Sequence, residues 1–89
     1  METASWVKDF YARSRGQLPT DVVVRTDWYL EHEMLGEVLD LTLEHAVNSG
    51  SLAEGDAQQA ANAILSDDPD YSVYKRAWSD WLDSHIATR

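Results

Sequence analysis

From Thr26 to Val47 apolar residues recur with the period of an α-helix, and no other stretch constrains the fold so strongly. At about 100° per residue, Met34, Leu35, Val38, Leu39, Leu41 and Ala46 fall on one arc, with Leu30 and Leu43 at its edges. So wide an arc belongs to a helix packed on more than one side. It predicts one central helix, capped at Thr26 or Asp27 and ended by Asn48-Ser49-Gly50. Gly36 lies at the border of the arc. Its missing side chain would let a neighbouring helix approach; otherwise it is a helix glycine costing about 1 kcal/mol relative to Ala.

The flanking segments also read as helices. Trp6, Val7, Phe10 and Tyr11 form an aromatic face on a helix over 4–15, ended by Gly16 before a turn at Pro19. Val22-Val23-Val24 is β-branched, but a lone strand has no partner within the chain. Residues 20–25 are therefore either helix or an extended lead-in, unless they pair across a dimer. Ser51-x-x-Glu54 fits a capping box for a third helix to about Ser66, with Ala53, Ala57, Ala60, Ala61 and Ile64 on its inner face. Asp68-Pro69 opens a fourth helix to about Ala87, whose inner face carries Tyr71, Tyr74, Trp78, Trp81, Leu82, His85 and Ile86. The expectation is an all-α single domain over 1–89, a small bundle of about four helices. Most aromatics, Trp28 included, should be core, with Tyr11 or Tyr29 exposed at the edges.

Absences narrow the classes further. Without cysteine there is no disulfide, thiol nucleophile or Cys-based zinc site. The longest aliphatic run, Val22-Val23-Val24, is far below the roughly 20 residues of a membrane span. No basic stretch followed by an apolar one marks a secretion signal. A cytoplasmic location is expected.

Charge is distributed very unevenly. Residues 1–26 and 75–89 each net +1, whereas residues 27–74 hold eleven acids and no Lys or Arg, giving −9 overall. That sign disfavours direct binding to nucleic acid or anionic lipid. Along the expected central helix Glu33, Glu37, Asp40 and Glu44 fall within a band about 60° wide, opposite the apolar arc. Like charges at such spacings cost about 0.2–0.5 kcal/mol per pair. The stripe is either a solubilising face or a surface neutralised by a basic partner. Glu54, Asp56, Asp67 and Asp70 would continue it.

Other chemistry finds little support. Asp67-Asp68-Pro69-Asp70 fails as a calcium loop beginning at Asp68, with Val73 at the sixth position and Ser79 at the twelfth; helix capping explains it better. His32-Glu33 opens like a zinc-protease motif, but position 36 is Gly. His32, His45 and His85 read as partly buried histidines bonded to backbone or carboxylate, not as ligands. No nucleophile elbow or Gly-rich phosphate loop is present, so no catalytic residue, metal or cofactor is assigned.

No motif places the chain in a known family. In size, charge and helicity it is similar to small acidic inhibitors such as anti-CRISPR proteins, DNA mimics and bacteriocin immunity proteins. That likeness implies a non-enzymatic module docking on a basic, nucleic-acid-handling protein. The alternatives are a structural homodimer or assembly subunit, with Leu30, Met34, Val38 and Leu41 at its interface, and a small metal-dependent enzyme.

Overall fold

The structure is a computed structural model describing residues 2–87, with side-chain surroundings described as far as Ser84. His85 and Ile86, expected on the inner face of the last helix, lie outside the described side chains. Among the described residues six α-helices follow in order: α1 (Thr3–Ser14), α2 (Thr20–Glu31), α3 (Leu35–Ser49), α4 (Glu54–Leu65), α5 (Pro69–Ser72) and α6 (Ser79–Ala87). A 3-10 turn, Arg15–Gln17, links α1 to Leu18. No strand occurs among the described residues, and no helix is long and apolar enough to cross a membrane.

Helix α3 is the centre. It packs against α1, α2 and α5, and α4 closes over α1 and α5. Val38 and Leu43 are wholly buried, with Leu39 and Ala46 nearly so. Trp6 and Phe10 of α1 stack at 5.1 Å between ring centroids. The small face of α4 is as expected at Ala57, Ala60, Ala61 and Ile64, with Ala63 buried beside them, whereas Ala53 lies before the helix and is exposed. Two threonines sit in the core with no exposure; Thr26 Oγ1 and Thr42 Oγ1 each donate to the carbonyl four residues back, at 2.7 Å. Burying a hydroxyl is tolerable only with such a partner.

Several expectations need correction. Val22-Val23-Val24 is helical, in α2, so no strand pairs across a dimer there. The expected central helix over 26–47 is two helices, parted by a turn at His32-Glu33-Met34. The Met34 N–H bonds Tyr29 O at 2.9 Å and the Glu33 N–H bonds Leu30 O at 3.1 Å, the pairing that ends a helix in a Schellman turn. The residue at the left-handed position is Glu33, at φ 56. Glycine normally fills that position, because a Cβ there crowds the backbone. Helix α3 ends in the same pattern with Gly50 at φ 70.

The fourth expected helix also divides, into α5 and α6, with turns across 73–78. Its start is as read: Pro69 is the first helical residue and the Asp68 carboxylate accepts from the Asp70 N–H at 3.0 Å. The capping box does not form. Ala53, not Ser51, precedes α4, and the Ser51 hydroxyl pairs with Ser49 at 2.8 Å. Trp28 is 51% exposed rather than core, and Tyr11 is 1% exposed rather than an edge residue.

Gly36 allows a close approach. A Cβ there would overlap the Asp70 carbonyl oxygen of α5 and stand 3.0 Å from the Tyr74 ring. The seam between α3 and residues 69–78 depends on that contact.

Candidate functional site

Arg13 of α1 and Arg15 of the following turn are committed to the molecule's own carboxylates. Arg13 forks onto Asp56 of α4, with both nitrogens at 2.9 Å, and its Nε holds Asp9 at 2.7 Å. Asp56 also accepts from Trp6 Nε1 at 3.0 Å, so it ties α4 to α1. Arg15 Nη2 bonds Asp27 at 2.6 Å, and the buried Tyr11 hydroxyl donates to the same carboxylate at 2.5 Å. Hydrogen bonds from Arg13 first, and then Trp6, hold the Asp56 carboxyl below its usual range. Arg15 and Tyr11 do the same for Asp27. Burial, with Asp27 beside it, pushes the Tyr11 phenol up to about 12.

The remaining acids divide by position. Glu37, Asp40 and Glu44 share one face of α3 as expected, but Glu33 reaches that edge from the turn rather than from a helix. Two clefts run in succession along the seam between α3 and residues 69–78. The first, about 250 Å³, is lined by Glu33, Met34, Leu35, Gly36, Glu37, Pro69, Asp70 and Val73. The second, about 360 Å³, is lined by Asp40, Glu44, Ala77 and Trp78. Glu33, Glu44 and Asp70 are exposed, whereas Glu37 and Asp40 are half-buried. Asp40 accepts from Trp78 Nε1 at 2.8 Å. The Tyr74 hydroxyl is raised above its ordinary range by burial and by the neighbouring Glu37 carboxylate. Among the described residues none of these five acids is in an ion pair with Lys or Arg, although Lys75 and Arg76 lie on the same segment and are exposed.

Of the expected continuation, Asp70 joins the seam. Asp56 does not, being matched by Arg13. Glu54 stands at the opposite end of α4 from Asp67, and both are exposed outside the two clefts. The dimer set fares worse. Val38 is wholly inside the protein's own core and cannot meet a second chain, while Leu30 and Leu41 are half-buried. Met34 alone of the four is exposed; the other large exposed apolar side chains on this half are Val24 and Trp28 of α2.

The histidines are scattered. His32 is exposed, stacks on Trp28 at 3.9 Å and bonds Trp28 O through Nδ1 at 2.8 Å. His45 is half-buried beside Leu18, Val22 and Leu41. Among the described residues no three His, Asp or Glu side chains are placed to hold a metal ion. Sequence reasoning missed the apolar floor of the first cleft, Met34, Pro69 and Val73, because only the close packing of α5 on Gly36 brings it together.

The chain matches no protein family, no curated protein and no solved structure.

Glu33 makes one expectation testable. Glu33→Gly should raise folding stability by about 1 kcal/mol, as relief of a left-handed non-glycine residue does. Urea denaturation measures it; a loss of stability would mean that the Glu33 side chain holds the turn together.

Proposed function

We propose that this protein is a non-enzymatic acidic module that binds another protein through the seam between α3 and residues 69–78. The partner presents a basic surface, of the kind that nucleic-acid-handling proteins carry. One observation carries the reading. Arg13 and Arg15 neutralise Asp9, Asp27 and Asp56, whereas Glu33, Glu37, Asp40, Glu44 and Asp70 line one seam with no ion pair to Lys or Arg among the described residues. A one-signed surface of this kind attracts a basic one over a Debye length and rejects acidic competitors. The strained backbone at Glu33 supports the same reading, since a carboxylate is kept where glycine is the easier residue.

The test uses the tagged protein as bait in an extract of its own cells, beside a Glu33→Lys/Glu44→Lys variant. Both side chains are exposed, so the variant should fold. A basic protein retained by the wild type, and lost from the variant, is the expected result. Equal retention by both would remove the seam from the interface. Sedimentation of the bait alone should give a monomer; a salt-insensitive dimer would favour the exposed Val24 and Trp28 face of α2 as a homodimer contact.

A further inference from the structure

The cleft at the start of α3 differs from the rest of the acidic surface in having an apolar floor. Met34 is 40% exposed on one side and Val73 69% exposed on the other, with Leu35 and Pro69 beside them. Glu33, Glu37 and Asp70 stand around this floor. An aliphatic side chain would cover the floor and leave the carboxylates desolvated beside it, which is unfavourable. A small hydrated cation would meet the carboxylates and leave the floor exposed. A methylene stem ending in a cation satisfies both. At about 250 Å³ the space is smaller than pockets that enclose metabolites, and it suits one long side chain.

We propose that this cleft seats the side chain of a single arginine from the partner protein, an assignment that rests on the docking reading above. The stem lies across Met34 and Val73. The planar guanidinium offers donors in several directions and can bond carboxylates on more than one wall, which a lysine ammonium does less well.

The probe is N-acetyl-arginine amide, titrated into the isotopically labelled protein at constant ionic strength and followed by amide chemical shifts. Three controls accompany it: the citrulline analogue (same shape, no charge), guanidinium chloride (head without stem) and 1,4-diaminobutane. Saturable shifts confined to residues 33–37 and 69–73 are expected at roughly millimolar arginine amide. The citrulline analogue, which loses the charged hydrogen bonds, and guanidinium chloride, which loses the apolar burial of the stem, should each bind at least about tenfold more weakly. Glu33→Gln/Asp70→Asn should abolish saturation, while Glu44→Gln should keep it.

Three results would overturn the assignment: equal responses to guanidinium chloride and the arginine amide, tighter binding of the diamine, or saturation in the Glu33→Gln/Asp70→Asn variant. The two proposals can fail separately. A partner released by Glu44→Lys yet indifferent to Glu33→Gln/Asp70→Asn would leave the docking surface standing and remove the arginine from this cleft.

Discussion

Gly36→Ala should lower folding stability by about 2–3 kcal/mol, the cost of overpacking a close contact. In an 89-residue domain that is a fall of about 10–20 °C in the thermal midpoint. The sign is opposite to the ordinary helix effect, where the same change gains about 1 kcal/mol. The reason is local: the new methyl would overlap the Asp70 carbonyl oxygen, which is backbone and cannot swing aside. α5 would have to lift from α3, opening the seam that carries the acidic clefts. Gly55→Ala in α4 is the control, since nothing lies within 4 Å of a Cβ there, and it should be neutral or stabilising. Equal midpoints for Gly36→Ala and wild type would mean that α5 is not held against α3.

The second large effect belongs to Asp56. Asp56→Ala leaves the indole N–H of Trp6, itself 4% exposed, without its acceptor and removes the Arg13 fork. A loss of about 2–3 kcal/mol at neutral pH is expected from an unmet buried donor and a charged hydrogen bond. Arg13 is 48% exposed, so solvent screens much of the ion pair and the indole carries most of the loss. The pH dependence has a definite sign. Folding lowers the Asp56 carboxyl pKa, so the unfolded chain binds more protons in acid. The stabilisation is complete above the unfolded value near 4 and is lost as pH falls through the folded one. The difference in urea midpoint between wild type and Asp56→Ala should therefore be largest at about pH 7 and narrow as pH falls below the unfolded value. A gap that stays constant with pH would mean that the carboxylate's charge plays no part.

Much of the fold was readable because its signals are local. Gly16, Gly50 and Asp68-Pro69 mark boundaries through backbone chemistry, and the alanines of α4 mark a face by size. The break at 32–34 was not readable, because His32-Glu33-Met34 lacks the glycine, asparagine or proline that usually ends a helix. Two amphipathic helices joined without punctuation present one continuous period. Carrying the helical phase through that break is what placed Trp28 in the core. On α2 alone the inward residues are Val22, Val23, Thr26, Tyr29 and Leu30, which turns Val24 and Trp28 outward. The segment 73–78 conceals its turns in the same way.

The acidic site was half legible. Glu37, Asp40 and Glu44 share a face wherever α3 begins, so their grouping survived the break. Asp56 was misplaced because sequence does not reveal that Arg13, 43 positions away, folds against it. The inward turn of Glu37 and Asp40 depends on Tyr74 and Trp78, which reach α3 only through the α5 contact at Gly36. Non-local pairing of this sort leaves no periodic trace.

The most direct test of the central claim is the affinity for the captured basic partner, measured from about 0.05 to 0.5 M salt for the wild type and for Glu33→Gln/Glu44→Gln/Asp70→Asn. Wild-type affinity should fall steeply with salt, and the neutralised variant should bind more weakly with a shallower dependence. Identical affinity and identical salt dependence in the folded variant would contradict the account, leaving the seam a solubilising face.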